Sequence, residues 1–251
     1  MVIAFTSCDK PTITNVTINF THTVDNISLV TGQGCELGGE CLPDHSCCNG
    51  GDLLPYTNDA GENYNIQRLN YLISDITLHS DDGISILLKD VHFIDADDAS
   101  TLIINVGEMD NGNYTSISYT MGFDTIKNIS NLYVNESFHS TMAWPDMMGG
   151  GYHYMRLEGD YDTITQGYAT HTGGTMGMDY SFNHNSIISL NIDDDLGDVC
   201  IDINMEINNW YQTPNQIDFS SYGMGIMMDT TMQENIQMNG ITDVFSVTVD
   251  K

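Results

Sequence analysis

Neutral nitrogen and sulfur donors are concentrated in one stretch of the chain, residues 139–174 (HSTMAWPDMMGGGYHYMRLEGDYDTITQGYATHTGG). It holds three of the eight histidines (His139, His153, His171), four of the fifteen methionines (Met142, Met147, Met148, Met155) and one of the two tryptophans (Trp144), around the run Gly149, Gly150, Gly151. Imidazole and thioether are the neutral ligands copper prefers, so a metal is expected here. Two further histidines sit in strand-like surroundings, His22 in NFTHTVD and His92 in VHFID. An isolated histidine at a strand end is more often a hydrogen-bonded polar residue, the role expected for His79, His139 and His184. Methionine has an equally plain alternative: Met147-Met148, Met176-Gly177-Met178 and Met224-Gly225-Ile226-Met227-Met228 can be flexible core filler.

Other chemistries find little support. There is no Gly-x-Ser-x-Gly, no recognisable Cys and His pairing, and no phosphate-cradling glycine loop beside a lysine, since the triple glycine runs into Tyr152-His153. Hydrolase and nucleotide chemistry are therefore not expected. The aspartate clusters Asp95-Ala96-Asp97-Asp98 and Asp193-Asp194-Asp195-Leu196-Gly197-Asp198 could bind calcium, but neither matches the EF-hand loop, and each reads first as a solvated turn. Six Lys plus Arg against 35 Asp plus Glu give a formal net charge of −29. That field repels a phosphate backbone and an anionic membrane surface, which excludes nucleic acid as a partner. It also attracts cations, although a solubilising surface in saline water is its simplest use.

The elements that must position the donors read as strands. Period-two alternation cut by Gly, Asn and Asp marks residues 13–20, 73–79, 84–88, 102–106, 114–121, 152–158, 187–192 and 200–207. Asp82-Gly83 is a hairpin signal, and Asn111-Gly112 is another, opening the strand at 114–121. Helical periodicity is weak, with residues 231–238 the one fair candidate. The expected fold is all-β, an antiparallel β-sandwich with long loops and little helix, in a single domain of 251 residues.

The N-terminus and the cysteines point to export. The apolar run before Cys8 is too short for a complete secretory signal, but Phe5-Thr6-Ser7-Cys8 resembles the end of a lipobox, in which the cysteine is lipidated. Residues 1–12 are accordingly read as a clipped signal or lipoprotein tether, so that the membrane is touched only through an N-terminal lipid at the periplasmic face or cell surface. No later stretch is long and apolar enough to cross a bilayer. Cys35, Cys41, Cys47 and Cys48 fall in GCELGGECLPDHSCCNGG, which lacks apolar residues to hold it together, so two disulfides are expected there, with three pairings open. A thiolate metal knuckle with His45 is the alternative, though its spacing fits no zinc pattern. Cys200 reads as a small buried hydrophobe.

The succession ITINFTHTVDN, YTNDAGENYNIQRLNYLISDITLHSDDG, VHFIDADDASTLIINV, GNYTSISYTMGFD, MAWPDMMGGGYHYMRLEG and ATHTGG resembles the MbnP-like proteins. These are exported bacterial copper-binding proteins related to the methanobactin-associated periplasmic protein and, more remotely, to MopE and CorA. The likeness runs from about residue 13 to 251 and is interrupted by the Cys-rich insert at about 31–55. The resemblance implies a copper site. The family's Phe-x-His-x-Val element is matched at His22, its Tyr-His-Leu-Ile-Asp element at His92, and its His-x-Gly-Gly element at His171. Those three imidazoles are the leading ligands for Cu(I) or Cu(II). His153 follows them, and Met148 or Met155 is a further thioether candidate that would bias the site toward Cu(I).

The same resemblance implies a tryptophan converted to kynurenine by a haem peroxidase-like partner. The position two residues before His92 is Asp90, which cannot undergo that oxidation, so copper without kynurenine is expected unless Trp144 or Trp210 is the target. Three functions stay open. The first is a non-enzymatic exported protein for copper capture, storage or transfer. The second is a copper-dependent oxidase with Tyr152, Tyr154 or Tyr168 as redox partner. The third is a calcium-dependent cell-surface binding module using Trp210, Tyr211 and Tyr222.

Overall fold

Alternating burial along β1 (Asn15–Val24) sets the architecture. Val16, Ile18, Phe20, His22 and Val24 point inward while the residues between them do not. β2 (Ile27–Ser28), β3 (Tyr56–Thr57) and β4 (Asn63–Tyr64) are short. They precede β5 (Arg68–Ser80), β6 (Ser85–Asp95), β7 (Ile103–Glu108) and β8 (Gly112–Met121). After the helical turn α1 (His139–Met142) come β9 (His153–Tyr161), β10 (Thr163–Gly173), β11 (Phe182–Ile192) and β12 (Val199–Glu206). Helix α2 (Thr230–Thr242) then leads to β13 (Phe245–Asp250). This computed structural model describes residues 14–31, 54–193, 197–221 and 225–250.

The strands form the expected sandwich. In one sheet β13, β12 and β1 lie side by side, with β7 and β2 sharing the far edge of β1. In the other, β5 is central: β6 takes one edge, while β8 and β9 share the other and carry β11 and β10 outward. One pairing departs from the antiparallel expectation. β12 runs parallel to β1 from Val16 opposite Val199 to Thr23 opposite Glu206. A parallel partner requires a long crossover, and here most of the opposite sheet supplies it.

Between the sheets, Ile18 and Phe20 pack with Tyr71, Ile73, Ile117, Leu157, Ile201 and Ile203, each fully buried side chain contributing roughly 1.5–3 kcal/mol. Successive strand residues face opposite ways, so Leu72 of β5 points to the outer side of its sheet. There it joins Phe123, Phe138, Met142, Tyr152, Tyr154 and Tyr180 in a second, smaller core. The segment between β8 and β9 is therefore held against the outer face of β9, where the candidate site lies.

Several details differ from the sequence reading. Asp82-Gly83 does close the β5–β6 hairpin, with Gly83 at φ 88°. Asn111-Gly112 does not make one: β7 pairs β1 whereas β8 pairs β5 and β11, so this turn carries the chain from one sheet to the other. β10 and β13 were not expected as strands. In β10 the inward positions include Thr170 and Thr172, which conceal the apolar alternation. The helix at 231–238 extends over the whole of α2, capped by Asp229, whose carboxylate accepts from the Met232 amide at 2.9 Å.

Cys200 is half-buried in polar company, its Sγ 2.8 Å from the Asn19 side-chain amide, and is not a core hydrophobe. The Asp95–Asp98 cluster is a hydrogen-bonded turn, with Asp95 accepting from the Asp97 amide and Asp98 from the Ser100 amide. Trp210 and Tyr211 are core residues, which removes them from the glycan- or protein-binding surface of the third reading. The expectations for Cys8, Cys35, Cys41, His45, Cys47, Cys48, Asp194, Asp195 and Tyr222 lie outside the described residues. Among the described residues no helix is long and apolar enough to cross a membrane.

Candidate metal centre

Position along β9 and β10 would separate the two histidines that matter most. His171 stands opposite Arg156, and Thr172 opposite Met155. Met155 and Leu157 belong to the core between the sheets, so alternation sends His153 inward with them and His171 outward with Arg156 and Glu158. The register breaks after Thr172, however. Gly173 pairs with His153, and Tyr154 is left as an extra residue. Such a bulge re-aims the neighbouring side chain. The His153 and His171 rings consequently meet edge to face, centroids 5.0 Å apart at 84°.

Each imidazole has one nitrogen committed to an acceptor. His153 Nδ1 is 3.2 Å from the Met142 carbonyl, and His171 Nε2 is 2.7 Å from Glu158 Oε1. Nitrogens facing a carbonyl and a carboxylate carry the proton, which leaves His153 Nε2 and His171 Nδ1 with the lone pairs. Burial first, and the neighbouring His171 second, push the His153 imidazole down to about 3. It stays a neutral donor throughout the physiological range.

Glu158 is itself tightly held, by Arg68 at 2.6 Å and Arg156 at 2.8 Å. Burial resists its ionisation, but the His171 hydrogen bond and the two guanidiniums outweigh burial and hold the carboxyl down at about 2. Behind His171, the fully buried Gln233 of α2 donates to the His171 carbonyl at 2.7 Å and accepts from the Gly173 amide at 3.3 Å. Trp144 closes the other side. Its indole meets the His153 ring edge to face at 4.7 Å and lies so close over Gly173 that a Cβ there would come within 2.7 Å of it.

The other expected ligands lie elsewhere. His22 points between the sheets, with Nε2 3.0 Å from the Tyr71 hydroxyl, and burial pushes it down to about 4. His92 stacks on Phe20 at 5.3 Å and donates from Nε2 to the Thr101 carbonyl at 2.8 Å. Its pKa is lowered by burial. Of the three leading imidazoles, His171 thus finds its partner in His153 and not in His22 or His92. Met155 faces the core between the sheets, whereas Met148 is half-buried at the loop after Trp144. Asp90 is 2.6 Å from Lys127, and Trp210 packs in the main core against Phe182 and Phe245.

The tyrosines named for redox work are engaged apart from the pair. Tyr152 bonds His139 and the Tyr133 amide, Tyr154 donates to Asp179, and Tyr168 donates to the Asn65 carbonyl. His79 and His184 bond serine hydroxyls. Among the described residues no group of three or more His, Cys, Asp or Glu side chains is arranged to hold a metal, so the site offers two imidazoles. Glu158, Arg68, Arg156 and Gln233 were not picked out from the sequence. One signal was there: the whole chain has only two arginines, Arg68 and Arg156.

The fold is similar to that of MbnP from Methylosinus trichosporium, with a TM-score of 0.55 at 10% identity over 94% of this chain and 99% of that one. No curated protein matches the sequence. A family model described as MbnP matches residues 13–229. Since that match spans both sheets, from just before β1 to the residue that caps α2, the chain belongs to the MbnP family.

Proposed function

We propose that this protein captures, stores or hands on copper through His153 and His171, without catalysing a reaction. The observation that carries this reading is the edge-to-face pair at 5.0 Å, in which each ring gives one N–H to an acceptor and keeps one nitrogen for a ligand. Two neutral imidazoles suit Cu(I) and Cu(II) alike. Because His153 sheds its proton far below neutral pH, copper does not have to displace one there. The Glu158 carboxylate fixes the His171 tautomer and ring orientation, as supporting carboxylates do at metal-bound histidines. Trp144 shields one side of the pair from water. Family membership adds the association with MbnP.

Export with a lipid at Cys8, to the periplasm or cell surface, belongs to the same reading, as do the disulfides among Cys35, Cys41, Cys47 and Cys48. Trp144, beside His153, is the better of the two tryptophans for conversion to kynurenine, which would require the haem peroxidase-like partner. Copper is preferred to calcium in this reading, because Asp95 and Asp98 each already give a carboxylate oxygen to a turn amide.

Elemental analysis of protein from its natural compartment, repeated with His153→Ala and His171→Ala, tests the assignment. Copper in the parent and its loss in both variants is expected. Full occupancy in both variants would reject the site. Mass spectrometry of the same material reads out the Cys8 lipid and the state of Trp144.

A further inference from the structure

We propose that the exposed thioethers of Met147, Met176, Met178 and Met228 form a second site, one that collects Cu(I) at the surface beside the imidazole pair. Methionine is ordinarily spent on a core, and Met121, Met142, Met155 and Met205 are buried in this way. These four are not: they are 84%, 61%, 59% and 62% exposed. Core filling therefore does not account for them.

Hydrogen bonds from the Thr175 hydroxyl and from backbone amides draw their three segments together around that one fully buried residue. The Thr175 hydroxyl lies 2.6 Å from the Met227 carbonyl and 3.4 Å from that of Met148. The Met176 amide donates to the Met148 carbonyl at 3.1 Å, and Thr175 and Met178 exchange bonds at 3.1 and 2.9 Å across a tight turn. Met176 holds φ at 52° in that turn, a conformation that ordinarily favours glycine or asparagine. The loops at 147–148, 176–178 and 227–228 thus present flexible sulfur-bearing side chains from a common base.

A thioether is neutral, soft and never protonated in water. It favours Cu(I) over Cu(II), zinc and calcium, and does so without the pH dependence of an imidazole. The charge of −29 draws cations in general, and sulfur would make the selection among them. The placement fits a route inward. Met147 is three residues beyond Trp144, which touches His153, and Met176 is three beyond Gly173, which pairs with His153. Only the destination of that route rests on the proposed function, and the thioether site stands without it.

The test uses the full chain in a C8S, C200S background, kept anaerobic but without any thiol or phosphine that would open the proposed disulfides, with Cu(I) supplied from a chromogenic chelator and X-ray absorption read at the copper edge. The variants are a quadruple leucine replacement (M147L, M176L, M178L, M228L), which keeps volume and apolarity, and the double H153A, H171A. Copper–sulfur scattering is expected in the parent, lost in the quadruple variant together with one equivalent of Cu(I), and retained in the double-alanine variant. Absence of sulfur scattering in the parent, or its persistence in the quadruple variant, would overturn the proposal. Nitrogen-bound copper surviving in the double-alanine variant would instead remove the imidazole reading and leave the thioether site in place.

Discussion

His153 and His171 face each other across the ends of β9 and β10, with ring centres 5.0 Å apart. They do so because one extra residue, Tyr154, interrupts the register between them. Removing either ring leaves a single imidazole, so His153→Ala and His171→Ala should each weaken copper binding by more than the roughly 10–100-fold that a supporting partner is worth. His22→Gln should leave it unchanged. Competition against a copper chelator at neutral pH measures all three.

Glu158→Gln tests the supporting shell. The amide oxygen can still accept from His171, but the charge that anchors the imidazole and gathers Arg68 and Arg156 is gone. Copper affinity should fall by about 10–100-fold with the fold intact, as read by chelator competition alongside circular dichroism.

Gln233→Leu should act through α2. It would strand the buried His171 and Ile226 carbonyls and the Gly173 amide, all of which Gln233 now satisfies. A loss of about 1–3 kcal/mol is expected, measured by urea unfolding.

Gly173→Ala should disturb Trp144 directly, because the added Cβ meets the indole at 2.7 Å. Overpacking of this kind costs about 1–3 kcal/mol. A change in tryptophan fluorescence that vanishes in the Trp144→Phe background would identify the ring that moved.

Acid should destabilise the folded protein through its buried histidines. His22 is pushed down by burial from 6.5 to about 4. Between those values the unfolded chain binds a proton that the folded chain refuses, so stability falls as pH falls, by about 2 kcal/mol at pH 5. Above 6.5 neither state is protonated and His22 contributes no slope. His153, pushed down to about 3, adds a loss of the same sign. Replacing His22 by Gln, which does not titrate, should flatten the acid limb of a stability profile taken from pH 7 to 4.

The sandwich was legible in the sequence because residues such as Val16, Ile18 and Phe20 alternate with polar neighbours, and burial follows that alternation. The site was legible only in part. His153, His171 and Trp144 stood out by type, but their meeting depends on the bulge at Tyr154, which reverses the side of the sheet that simple parity gives. β10 was missed because threonines occupy inward positions, and Gln233 because a polar residue on a weakly patterned helix looks like a solvent-facing one. The exposed methionines could not be told from core filler by composition, since loop geometry at Thr175 decides their exposure.

The parallel union of β1 with β12 has a consequence for biogenesis. β1 is made near the start of the described chain, yet one of its edges finds its mate only in residues 199–206. A nascent polypeptide must therefore carry an open strand border until residues 199–206 are made, a state that holding chaperones recognise. The sandwich can close only after residues 199–206 have emerged.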